Sequence, residues 1–535
     1  MKYNRRANGK SRRLVALATL AFMCCVLSVS FVSSGRAWDD RTRSRAERAL
    51  REGEYETAER LYRELLARDA HDNSARLGLS FALYKQRNFQ DAYDHAARVI
   101  GNDPLSSRAH ALLGAAVLGS GDFRLSVEEF RTALSIRENE ALAIAGLALV
   151  DFYEGRLDRS LAGFRRAVSL DSNEPDYIYS LAQAAARTER YKEAADAYER
   201  FLIIAPRTEE DRRARIRGLI DFLRYLGRQN QLYDPSGASH TSIPFEIVNN
   251  RPIIQIRING ERKPLRFVID TGSGMSVVSE ETARRMNIHA VARGGLARAV
   301  GGGGKFEIVY GFIPRIDIGE VQIENLPVYI RHFYDDGNPT DGYIGIAALT
   351  KFIATVDYGA RTFSLLRQRS SPTQAPIPLS NGLELPLRTT ASGFLSSEVH
   401  LEGLTKPLNF IIDTGATVSV VSKALVASSD LERFAHGTRM RVYGAAGIED
   451  NVKLLMLPRF MLGTLVRDHL PAAVLDLDPV NETAGFDQTG IVGGNFLRYY
   501  RVTFDFQRAV MRLESLGANQ QPADTLNGAG TIPSP

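Results

Sequence analysis

Pro264-Leu-Arg-Phe-Val-Ile-Asp270-Thr-Gly-Ser-Gly-Met-Ser276-Val-Val-Ser279 returns 143 residues later as Pro407-Leu-Asn-Phe-Ile-Ile-Asp413-Thr-Gly-Ala-Thr-Val-Ser419-Val-Val-Ser422. Each copy is an apolar strand running into an acid, a Thr-Gly turn and a second apolar stretch. A carboxylate at the end of a hydrophobic strand has no partner in its own segment and costs several kcal/mol unless something compensates it. The same odd placement twice in one chain implies that each Asp compensates the other. Two carboxyls brought together cannot both ionise, so they share a proton and can act as a paired acid and base.

The duplication extends outward from these motifs. Pro314-Arg-Ile-Asp-Ile-Gly319 matches Pro458-Arg-Phe-Met-Leu-Gly463, Gly342-Tyr-Ile-Gly345 matches Gly490-Ile-Val-Gly493, and Thr355-Val-Asp-Tyr358 matches Thr503-Phe-Asp-Phe506. Alternating runs such as Ile253-Ile-Gln-Ile-Arg-Ile258 read as short strands with turns. Two homologous β domains are expected at 243–368 and 376–516, joined by the Ser/Pro/Gln-rich stretch 369–375, with a polar tail over 517–535.

Asp-Thr-Gly-Ser/Ala after an apolar strand, followed downstream by two apolar residues and Gly, resembles the retropepsin-like aspartic proteases. The resemblance covers both halves and implies a bilobal all-β fold whose site assembles within one chain. It implies that Asp270 and Asp413 activate a water between them, that Gly272 and Gly415 let the backbone pass close to the carboxyls, and that Thr271 and Thr414 bond across the pseudo-twofold axis. A flap is expected over the substrate, at Gly301, Gly302, Gly303 and Gly304 in the first half and at Tyr443, Gly444 and Gly447 in the second. Four consecutive glycines are costly to order, so the first tip is expected to be mobile. Ser273 stands where the second motif has Ala416. A hydroxyl bond to a charged carboxyl lowers its pKa, so Asp270 is expected to be the more readily ionised of the two. The alternative is a non-catalytic peptide-binding scaffold on the same fold.

Upstream, small residues recur every 34 positions at Ala58, Ala92, Ser126, Ser160 and Ala194. Aromatic or apolar residues precede each by three, and Leu79, Leu113, Leu147 and Leu181 keep the same beat. This pattern resembles the tetratricopeptide repeat, a helix-turn-helix unit, and predicts an all-α solenoid over 39–228: five repeats and a capping helix. A polar linker is expected over 229–242. The solenoid is expected to recruit substrate or a partner protein and to be separable from the β domains.

Leu14 to Val32 is a 19-residue run without a charge, preceded by six basic residues. Residues 1–37 therefore read as a cleaved secretory signal or a membrane anchor, which places the rest outside the cytoplasm. The only cysteines, Cys24 and Cys25, lie in this run, so the exported part is expected to hold together without disulfides. Seven cations precede Trp38 with no acid among them, and setting them aside turns the formal charge of +5 into about −2. That gives no electrostatic reason to expect nucleic acid. The nine His residues show no metal-ligand spacing, and no cofactor or metal is expected. The expected partners are a polypeptide substrate, a protein on the solenoid and, through an uncleaved N-terminus, a membrane.

Overall fold

A computed structural model describes residues 38–207, 210–302, 304–334, 337, 339–368 and 382–517. The N-terminal segment 1–37, Gly303, the joining stretch 369–375 and the tail from 518 lie outside the described residues. Among the described residues no helix is long and apolar enough to cross a membrane.

The 34-residue beat becomes five helix pairs: 38–52 with Tyr55–Arg68, Asn73–Lys85 with Phe89–Asn102, Ser107–Gly119 with Phe123–Ile136, Ala141–Tyr153 with Leu157–Leu170, and Pro175–Arg187 with Tyr191–Ile204. The capping helix is Glu210–Leu226. Ala58, Ala92, Ser126, Ser160 and Ala194 are all fully buried, because a larger side chain at each would hold its helix away from its neighbour. Each pair turns through one left-handed residue, at Gly53, Arg87, Gly121, Gly155 and Glu189. Lys85, ending the first helix of repeat two, reaches Glu174 at 3.0 Å and also pairs with Asp176, both at the start of the fifth pair. An ion cluster around the buried Lys85 ammonium thus ties the second pair to the fifth.

The two β domains repeat one topology. In the first lobe the strand Leu265–Ile269 pairs in parallel with Gly342–Ile344, which pairs antiparallel with Ser276–Ser279. In the second, Leu408–Ile412, Gly490–Val492 and Ser419–Ser422 do the same. The lobes join through a six-stranded sheet in which Phe352–Asp357 and Tyr500–Asp505 run antiparallel across the axis. Thr355 and Thr503 meet there, hydroxyl to hydroxyl, at 3.0 Å. Closure therefore occurs within one chain, and a single apolar core runs through both lobes and the shared sheet.

Two expectations are corrected. The stretch 229–242 is not a linker: Asp234–Gly237 pairs with Val321–Glu324, and His240–Pro244 forms an outer strand of the shared sheet. Its polar sequence and Pro235 concealed this, yet edge strands face water and tolerate proline. The solenoid is also not a detachable module. Its left-handed turns form an edge on which the lobes sit: Arg87 pairs with Asp487 at 2.5 Å, Gly119 O accepts from Asp487 N at 2.9 Å, and Lys351 lies 3.9 Å from Glu189. Phe486 of the second lobe is fully buried between Phe123 and Tyr153, at centroid distances of 4.9 and 5.0 Å.

Candidate active site

Asp270 and Asp413 end equivalent strands and meet, half-buried, between the lobes. They hydrogen-bond each other. The loops carrying them are locked by their threonines, both fully buried. Thr271 N donates to Thr414 Oγ1 at 3.2 Å and Thr414 N to Thr271 Oγ1 at 3.1 Å, while the hydroxyls donate across the axis to Ile412 O at 2.8 Å and Ile269 O at 2.6 Å. With the hydroxyls of the pair satisfied in a buried place, the separation of the carboxyls is fixed by the backbone of both lobes. Gly272 and Gly415 are required by close approach. A Cβ on Gly272 would fall 2.3 Å from the Asp413 carboxyl, and one on Gly415 2.7 Å from Asp270.

The two acids are not equivalent. Asp270 Oδ1 accepts one backbone N–H, from Gly272 at 2.9 Å. Asp413 Oδ1 accepts from Gly415 N at 2.7 Å and Ala416 N at 3.1 Å. Burial raises both carboxyls above their ordinary range. Asp270 is pushed well up, further by the charge on Asp413 and by the hydrogen bond they share. Asp413 is raised by burial but pulled back by the bond from Asp270 and the loop N–H groups. The pair titrates as a unit, and the additional loop N–H bonded to Asp413 favours the charged form on that side. This reverses the expectation drawn from Ser273, whose hydroxyl donates to Met275 O at 2.7 Å instead of to the carboxyl. Backbone donors, invisible in residue types, decide the asymmetry.

Both flaps exist and they meet. The first is the hairpin Ala290–Arg298 with Lys305–Ile318, the second Ala435–Gly444 with Gly447–Leu462. Gly301 packs against Gly444 and Gly302 against Gly447, so closely that a Cβ on either would fall 2.7 or 2.5 Å from the opposite backbone. Gly301 and Gly302 also have φ of +80° and +84°, in the left-handed region. Gly304 packs on Ala446 of the second flap, and Ala445 N donates to Val300 O at 3.2 Å. The expectation of a free first tip is therefore replaced by an interlocked pair. Tyr443 is exposed. Sequence reasoning missed Arg331, which stacks over Phe306 of the first flap at 3.8 Å and donates to Ala445 O of the second. It also missed the turns at Asn249-Asn250 and Ser392-Gly393, which brace the dyad loops from the opposite lobe. Asn250 Nδ2 donates to Thr417 O at 3.0 Å, and Ser392 and Gly393 pack on Gly274. The 143-residue interval relates these turns too, and turn residues at matching positions were the available signal.

The aspartyl protease family profile matches residues 254–348 and 397–496, once in each lobe. Two tetratricopeptide-repeat profiles match 49–116 and 146–207. The chain carries a pair of aspartyl protease domains behind tetratricopeptide repeats. Among solved structures, the aspartic proteinase from Irpex lacteus aligns with 53% of this chain and 100% of its own at 12% identity and a TM-score of 0.35. A thermophilic tetratricopeptide-repeat protein of Thermus thermophilus aligns with 34% of this chain and 98% of its own at 19% identity and a TM-score of 0.30. No curated protein gave a match.

Proposed function

We propose that this chain is an aspartic endopeptidase acting on polypeptides outside the cytoplasm. The observation that carries the reading is the pair of hydrogen-bonded carboxyls held at the junction of two lobes beneath two flaps. In the proposed mechanism Asp413, the ionised member, takes a proton from a water held between the two acids as its oxygen attacks the peptide carbonyl. Asp270, the protonated member, donates to the developing oxyanion, and the amine leaves with a proton supplied by the dyad. Export, with or without a retained membrane tether, is supported by the uncharged run Leu14 to Val32 after its basic flank.

The reading also includes recruitment of a substrate or partner protein by the solenoid. Because the turn edge is covered by the lobes, recruitment falls to its remaining surface, where Leu105 and Ile203 stand exposed. Digestion of a peptide library by the full chain, with Asp270→Asn as control, tests the enzyme reading. Cleavage by the parent and none by the variant is expected. Equal product from both, or binding without cleavage, would discard it.

A further inference from the structure

We propose that Arg187, which ends the first helix of the solenoid's fifth pair, is a positioning residue of the protease site. Through Thr390 O it pins the turn Ala391-Ser392-Gly393 of the second lobe against the first dyad loop. The inference rests on the protease reading for its kinetic consequences.

The two bracing turns are held in different ways. In the first lobe, Asn250 bonds the second dyad loop at Thr417 O and is itself held by Arg498 of the second lobe, whose Nη1 donates to Asn250 Oδ1 at 3.0 Å. The duplication sets a partner for each residue. Asn250 corresponds to Gly393 and Thr417 to Gly274, at the interval that relates Asp270 to Asp413. Arg498 corresponds to Thr350, at the interval that relates Thr355 to Thr503. Thr350 cannot do what Arg498 does: it is short, and its hydroxyl donates to Ala347 O at 3.1 Å. Gly393 has no side chain to be held.

The second turn is secured differently. Its closing acceptor is Thr390 O, which receives Gly393 N at 3.0 Å, and the Arg187 guanidinium donates to that same oxygen. Thr390 is fully buried, with its hydroxyl accepting from Phe394 N at 2.9 Å. The tip of the turn then touches Gly274, four residues from Asp270, so closely that a Cβ there would lie 2.7 Å from Ser392 O and 3.2 Å from Gly393 Cα. The path from solenoid to dyad loop is one hydrogen bond and one backbone contact.

Arg187 is costly where it stands. It lies over the Phe152 ring at 4.4 Å, and burial lowers its pKa to about 10. No carboxylate among the described residues pairs with it. Arg187 is half-buried, and taking a guanidinium partly out of water with no carboxylate partner costs free energy that a methionine of similar length does not incur. An arginine serving packing alone has no advantage over methionine here, whereas one serving Thr390 O does.

The test uses the full chain with Arg187→Met and Arg187→Lys, assayed on a peptide the parent cleaves and by hydrogen exchange. Since a misplacement near 1 Å can cost up to about 100-fold in rate, Arg187→Met is expected to lose about 10- to 100-fold in kcat. Its KM should stay within about twofold, its melting temperature should be unchanged or higher, and Arg187→Lys should recover most of the rate. Exchange should quicken in 390–394 and 270–276 in the methionine variant alone. Parental kcat in Arg187→Met, or kcat and melting temperature falling together without rescue by lysine, would overturn the proposal. If the parent cleaves nothing, the protease reading fails by itself. The exchange arm still decides the brace, and unchanged protection of both segments overturns it.

Discussion

The two flaps come from equivalent hairpins but are held in different ways. The first lies under the capping helix Glu210–Leu226 along its length. Phe222 stacks on Tyr310 at 4.1 Å, Arg215 Nη1 donates to Leu296 O at 2.9 Å, and Lys305 pairs with Asp211 at 2.5 Å. Gly218 faces the backbone of Arg293 and Gly294, and only a residue without a Cβ allows that approach. Among the described residues the second flap meets only short helical elements, Lys423–Ala427 through Lys423 and Glu449 at 3.2 Å and Asp430–Phe434 through Glu432 and Lys453, and its paired residues Tyr443 and Ile448 are exposed. Duplication supplied two similar covers for one dyad, and fusion to a solenoid anchored one of them. On the protease reading, opening is expected of the second flap, which would have to release Arg331, the Ala445 N bond to Val300 O and the packed glycines.

The largest expected effect falls on what the lobes share. Asp270→Asn and Asp413→Asn should each lower kcat/KM by about 1,000-fold or more, and the double variant should be hardly worse, because the acids act as a unit. Retained turnover in either single variant would show that one lobe suffices. The same substitution has a second readout. The folded-state pKa of Asp270 is raised, so its contribution to stability is full below the unfolded carboxyl value of about 3.9 and is lost as pH rises through the folded value. Asparagine cannot ionise. Asp270→Asn should therefore melt above the parent at pH values near neutrality, and the gap should close below the unfolded carboxyl value. Thermal scans on the two sides of that window decide it.

A smaller effect is expected where the lobes differ. Phe222→Ala removes a fully buried ring between the solenoid and the first flap, a change that costs about 3–5 kcal/mol in a packed core. It should raise KM and speed hydrogen exchange in 290–318, while 435–462 keeps its protection. Tyr443→Ala, on the exposed second flap, should leave stability within about 0.5 kcal/mol of the parent. Equal exchange in both hairpins of the parent chain would show that the capping helix clamps nothing.

Much of this was legible in the chain because duplication makes position informative. The interval from Asp270 to Asp413 located the dyad and its threonines, and the 34-residue beat located the helices. What escaped was set by contacts between segments far apart in sequence. The strand His240–Pro244 looked like linker because only one of its faces is covered. The solenoid looked separable because Phe222, Gly218 and Arg187 read as ordinary helix residues until the lobes are placed against them. The charge asymmetry of the dyad escaped because Gly415 and Ala416 act through backbone N–H groups that every residue except proline has.

The smallest effect concerns the residue on which the sequence placed most weight. A hydroxyl bonded to the charged form of a carboxyl lowers its pKa, and a bond worth about 1 kcal/mol corresponds to roughly 0.7 of a pH unit. If Ser273 served Asp270 in that way, Ser273→Ala would move the alkaline limb of kcat/KM upward by that amount. Its hydroxyl is instead committed to Met275 O within its own loop, a bond that shapes the turn and leaves the acid alone. Ser273→Ala should therefore leave both limbs within about 0.2 of a unit, well under that hydrogen-bond-sized shift, and lower stability by about 1 kcal/mol through the lost turn bond. Profiles of kcat/KM against pH for parent and variant separate the two cases. An upward shift of about half a unit or more would mean that the hydroxyl turns to Asp270 in the working enzyme, making the first lobe's serine the source of the asymmetry after all.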